Sequence, residues 1–275
     1  MNELKKLYKE LKFTDDFMFA KVLVNNPEIC RRLLELLLDI KIKSVSVPEK
    51  QKVIEILSDS KGIRLDVYVD DEDGTVYNIE MQTTLKADLP KRSRYYQGMI
   101  DLNLIERGAK YKELKLSFVI FICLEDPFHR ELPVYRFENI CIQDHSILLK
   151  DEAIKVFINA DGDLTGVPED LADFLRYLNG EAQKGELVQM IEQEVKKART
   201  HTGWEAEYMT LYLRDQENQE IGMEQGLKIG LEQGLIVLIN SLKEFIPEEE
   251  ALYQAIIKND AYKNTTRETV QKYFR

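Results

Sequence analysis

IRLDVYVD, residues 63–70, and TVYNIEMQT, residues 75–83, are separated by Asp71-Glu72-Asp73-Gly74. Each segment alternates with period two and the connection holds an Asp-Gly pair, so the stretch predicts an antiparallel β-hairpin. Ile63, Leu65, Val67 and Val69 share one face of the first strand, with Arg64, Asp66, Tyr68 and Asp70 on the other. In the partner, Tyr77, Ile79 and Met81 share a face and leave Asn78, Glu80 and Gln82 opposite. If Asp70 faces Val76, residues 71–75 form the loop and Asp66 lies across from Glu80. Directly opposed residues have Cβ atoms about 4.5–5.5 Å apart, so two carboxylates there repel unless a cation lies between them. Slipping the register by two residues sets Asp66 against Asn78 instead and leaves a solvated acidic face; the strand pattern alone leaves both readings open.

Working outward, TDDFMFAKVLV (14–24) carries helical apolar spacing, and Asn26-Pro27-Glu28 supplies an N-cap, a first-turn proline and an acid ahead of ICRRLLELLLDI. One or two short extended pieces are expected within 44–57, around Pro48. Beyond the hairpin a helix is expected from Pro90 to Gly108, then a buried strand over 114–124 and further extended segments at 133–137, 145–149 and 153–159. After Pro168 the pattern turns helical, over 168–179 and then 186–217. Asn179-Gly180 and Gly185 are breakers, so an α/β domain over 1–180 and a helical C-terminal region over 186–275 are expected.

That region holds a repeat: IGMEQGLK at 221–228 recurs as IGLEQGLI at 229–236. Gly222, Gly226, Gly230 and Gly234 fall four apart, and a glycine costs about 1 kcal/mol against alanine inside a helix. Close packing against a partner helix would offset that cost and motivates an expected homo-oligomer through this tail. A semi-flexible linker is the other reading.

Composition bounds the function. The chain is 44% hydrophobic and 32% charged over 275 residues, which suits an ordered globular protein. Its net charge of -11 argues against a general polyanion binder, leaving room only for a local basic rim. No apolar run approaches the roughly 20 residues of a membrane helix, and the N-terminus lacks the apolar stretch of a secretory signal. Cys30, Cys123 and Cys141 read as buried thiols of a reducing compartment, so a cytoplasmic location is expected. There is no glycine-rich phosphate loop and no Cys/His metal spacing, and His129, His145 and His201 lack a nucleophile-partner pattern. No nucleotide cofactor is expected.

Gly62-Ile63-Arg64-Leu65-Asp66-Val67 followed by Asn78-Ile79-Glu80-Met81-Gln82 resembles the core of the recombination-promoting nuclease family, a transposase-like branch of the PD-(D/E)XK superfamily. FTDDFMFAKVL and ICRRLLELLLDI look like its opening helices, and KRSRYYQGMIDLNLIERGAKYKELKLSFVIFI like its basic-aromatic helix and following strand. The resemblance implies an α/β, restriction-endonuclease-like core, a four-stranded mixed sheet flanked by helices. It also implies a DNA endonuclease using Mg²⁺, with Mn²⁺ or another divalent cation as a substitute. Asp66 and Glu80 would be the metal ligands, and Gln82 falls where the superfamily usually has lysine. Glutamine can orient water but cannot serve as a base near neutrality, and Lys61, Lys86 or Lys91 are candidates to reach in. Glu35 resembles a helical acid that many members add to the site; the polar position of an amphipathic helix is its other reading. Lys91, Arg92, Arg94, Tyr95 and Tyr96 form the best basic-aromatic cluster to position DNA phosphate, with a solvated helix face as the alternative. The competing account is a nuclease-fold protein of little or no activity that works by self-association or protein binding.

Overall fold

The structure, a computed structural model, describes residues 7–54, 63–105, 108–181 and 184–274. Helices α1 (Asp16–Asn25) and α2 (Pro27–Leu38) precede strand β1 (Glu49–Ile54) and the hairpin β2 (Ile63–Asp70) and β3 (Val76–Gln82). Helix α3 (Leu89–Leu104) leads to β4 (Ser117–Cys123), β5 (Val134–Phe137) and β6 (Ala153–Asn159). Helices α4 (Glu169–Leu178), α5 (Glu186–Ala198), α6 (Thr202–Leu242), α7 (Glu249–Ile257) and α8 (Arg267–Phe274) complete the chain.

The strands form one mixed sheet in the order β1-β2-β3-β4-β6-β5. β3 runs parallel to β4 and β4 to β6, while β1–β2, β2–β3 and β5–β6 are antiparallel. The sheet therefore has six strands rather than the implied four, because short β1 and β5 extend its two edges. β3 and β4 are buried along their whole length, which requires cover on both faces. On one face Tyr96, Met99 and Ile100 of α3 pack with Val76, Val119, Phe121 and Phe157. Side chains of residues paired across a sheet share a face, so Val67, Ile79, Ile120 and Val156 line the other.

Local sequence explains most of these boundaries. Pro27 sits in the first turn of α2, which ends at Asp39 in the left-handed region (φ 52°). Asn26 does not cap α2 with its side chain; its Nδ2 instead donates to the Val22 carbonyl and closes α1 (2.8 Å). The segment 145–149 forms no strand, only the isolated bridge Ile140–Leu148. The helix expected over 186–217 is two helices, with His201 Nδ1 accepting from the Trp204 amide at the start of α6 (3.2 Å). α5 packs against α1, α2 and α4, so the first compact unit runs to Ala206, beyond the expected boundary at 180–185. The second unit, Glu207–Arg275, has its own small core of Leu235, Ile239, Leu252, Ile256 and Val270. Among the described residues no helix is long and apolar enough to cross a membrane.

Candidate active site

The hairpin register puts Asp70 across from Val76, Tyr68 across from Asn78 and Val67 across from Ile79. One step further along this register come Asp66 and Glu80, where carboxylates replace ladder hydrogen bonds. The Asp66 amide donates to Glu80 Oε1 (3.1 Å), and the Met81 amide donates to Asp66 Oδ2 (3.3 Å). The strand backbone thus fixes both acids at the end of the β2–β3 pairing. Glu80 is fully buried, and its Oε1 also accepts from Asn78 Nδ2 (3.1 Å).

Burial, and then the Asp66 charge beside it, push the Glu80 carboxyl well above the usual carboxylate range; the Asp66 amide, Arg92 and Asn78 pull it part of the way back. The main compensating cation is Arg92, on the first turns of α3. Its Nη2 reaches Glu80 Oε2 (2.9 Å), its Nη1 donates to Gln82 Oε1 (3.0 Å) and its Nε to the Tyr96 hydroxyl (2.8 Å). Gln82 is buried and gives its Nε2 to the Met81 carbonyl (2.7 Å).

The basic-aromatic cluster is therefore divided. Lys91, Arg94 and Tyr95 lie on the exposed side of α3, whereas Arg92 and Tyr96, four apart, point to the sheet. Tyr96 is 8% exposed and stacks on Phe121, so it offers no open face to a base. Lys86 is exposed, and Lys61 lies outside the described residues.

Glu35 is not brought to this pair. Its carboxylate accepts from the Ile42 amide (2.9 Å) and pairs with Arg31 (2.9 Å). It lines a cavity shared with Val134 and Val156. Val156 lies on the Ile79 side of the sheet, and Glu80 on the opposite side. Helical spacing shows which residues share a face of α2, but not which face of the sheet that helix covers. Asn78 and the inward turn of Arg92 were missed in the sequence. The signal for Arg92 was its place four residues before Tyr96, on the edge of the apolar stripe Tyr96, Met99, Ile100.

Among the described residues no group of three or more His, Cys, Asp or Glu is placed to hold a metal ion. Among the described residues the donor set at this pair is two carboxylates, all hard oxygen. Such a set fits Mg²⁺ or Mn²⁺, which commonly take one or two protein carboxylates and complete their shell with water and substrate oxygens. The raised affinity of buried Glu80 for a proton equally favours a cation beside it.

Comparison with known proteins returns one family, described as "PD-(D/E)XK nuclease family transposase", which matches residues 13–155, more than half of the chain. No curated protein and no solved structure matches.

Proposed function

Since the chain belongs to the PD-(D/E)XK nuclease family transposases, we propose that it is a divalent-metal-dependent DNA endonuclease that hydrolyses phosphodiester bonds. The observation that carries this reading is the seating of Asp66 and Glu80 together by the strand backbone, on the hairpin that the family match covers. Asp66 and Glu80 would hold Mg²⁺ or Mn²⁺, which supplies Lewis-acid stabilisation of the phosphoryl oxygens and a more acidic water. Asp66 is half-buried, so it faces both the strand backbone and the solvent from which substrate arrives. Asn78 and the Asp66 amide fix the orientation of Glu80, which keeps the acid from turning away when its charge is matched. Hydrolysis joins a water oxygen to phosphorus and releases the bridging oxygen, which takes up a proton. Gln82 has no basic atom, so the attacking water loses its proton to solvent or to a carboxylate and not to Gln82. Glu35 has no part in this reading.

Lys91, Arg94 and Tyr95 on the exposed side of α3 are the proposed DNA contacts beside the site. With a net charge of -11, binding rests on such a local rim rather than on the whole surface. Recombination, transposition and defence are the biological settings in which such cleavage would serve. The competing reading, an inactive nuclease fold working by self-association, is favoured by one observation: Ile221, Met223, Leu227 and Ile229 of the octad repeat are exposed on α6.

Nicking of supercoiled plasmid by the purified chain separates the two. The nuclease reading expects nicking that needs Mg²⁺ or Mn²⁺, stops with chelator and is lost in Asp66→Ala. Equal nicking by Asp66→Ala, or none with either metal across a range of salt, would refute it. A mass above that of the monomer in the inactive case would support self-association.

A further inference from the structure

Arg92 is placed as a DNA-facing residue by its neighbours in sequence, yet its guanidinium stands inside the carboxylate site, bonded to Glu80, Gln82 and Tyr96. A guanidinium has five N–H groups in a fixed fork. The three bonds use one hydrogen on each nitrogen and leave two N–H groups, one on Nη1 and one on Nη2. The side chain is 25% exposed, so it is anchored by these bonds while remaining partly open to solvent.

Gln82 explains the anchoring. Its Nε2 is fixed by the Met81 carbonyl, which turns Oε1, the acceptor, toward Arg92 (3.0 Å). With the amide reversed, an N–H would face the guanidinium and neither contact would form. Gln82 thus commits one of the two lone pairs of that oxygen to Arg92. A strand lysine at this position would itself carry a positive charge into the site; here a neutral strand residue holds a charged residue of α3 at that place.

We propose that Arg92, positioned by Gln82, is the phosphate-facing cation of the site and takes the electrostatic part of the lysine that the strand lacks. This rests on the nuclease reading and deepens it. Arginine stays charged at any working pH and gives planar, two-point contacts to phosphate oxygens. It contributes charge stabilisation to the phosphoryl group and no proton transfer. The competing role is a buried counter-charge for Glu80 alone, which would need neither the bond to Gln82 nor the exposed edge.

The test compares the full-length wild type with Arg92→Gln, Arg92→Lys and the double variant Gln82→Lys/Arg92→Gln. Without metal, in chelator, binding of a labelled DNA duplex is titrated against salt. Arg92→Gln is expected to lower the salt slope by about one, as for loss of one phosphate contact, and Arg92→Lys to keep it. In Mg²⁺, Arg92→Gln is expected to lower kcat by about 100-fold, in line with loss of one charged donor, and to raise KM by the smaller amount that the weakened DNA binding brings. Arg92→Lys recovers part of this, and Gln82→Lys/Arg92→Gln recovers at least tenfold over Arg92→Gln by returning the charge to the strand. An unchanged salt slope together with wild-type kcat in Arg92→Gln overturns the proposal. So does a cooperatively melting double variant no more active than Arg92→Gln. If Arg92→Gln does not melt cooperatively, the double variant measured against wild type decides. If the wild type does not cleave at all, the nuclease reading fails, and the salt slope in chelator still decides the role of Arg92.

Discussion

At the scale of single residues, Glu80 is the tightest constraint. It is fully buried between strand backbone, Asn78 and Arg92, and burial followed by the Asp66 charge raises its carboxyl from 4.5 to about 8. Because the folded state holds this proton more tightly than the unfolded state, the contribution to stability is complete below about pH 4.5. It is lost as pH rises through about 8. The metal-free protein should therefore melt at progressively lower temperature from pH 5 to pH 9 in chelator, and Glu80→Gln should flatten that decline. Melting curves of the two proteins across this range check it; parallel declines would remove Glu80 as the cause. Period two placed the two acids on strand faces, but their pairing was legible only as one of two registers, of which the structure takes the one with Asp70 across from Val76. The partners of Glu80 were not legible, since the direction of Arg92 depends on how α3 lies over the sheet and not on its local spacing.

At the scale of elements, the hairpin was the most legible part and α6 the least. The Asp-Gly turn and alternation located β2 and β3 to within a residue, and the Pro27 turn located α2. The segment 145–149 failed as a strand because Ile147, Leu148 and Leu149 are exposed and find no ladder beyond a single bridge. The octad glycines lie within one helix, and their surroundings differ. A Cβ built at Gly222, Gly226 or Gly230 meets nothing within 4 Å, whereas at Gly234 it meets the Tyr262 hydroxyl. Alanine at each of the first three should stabilise the second unit by up to about 1 kcal/mol, through helix propensity alone. Gly234→Ala should give no such gain, or a loss, because Tyr262 must move. Denaturant melts of the four variants check the contrast. A uniform loss at all four positions would mean that the open glycines are packed in solution, which is the outcome expected if the repeat self-associates.

At the scale of the whole molecule, one sheet serves two different faces. The Ile79 face borders the cavity that Glu35 lines, with Glu35 tied to Arg31 and the Ile42 amide. The opposite face carries α3 and the carboxylate pair. That division is why a third acid expected from the opening helices does not reach the site, and why the cation paired with Glu80 comes from α3. Asp66 and Glu80 together are the proposed divalent-cation site, which cleavage assays test only indirectly, since a trace of contaminating nuclease can imitate activity. Calorimetric titration of the full chain with Mn²⁺ at neutral pH tests it directly. Saturable binding is expected in the wild type, lost in both Asp66→Ala and Glu80→Gln while each still melts cooperatively. Binding of equal strength in the wild type and both folded variants, or no binding in the wild type, would contradict it.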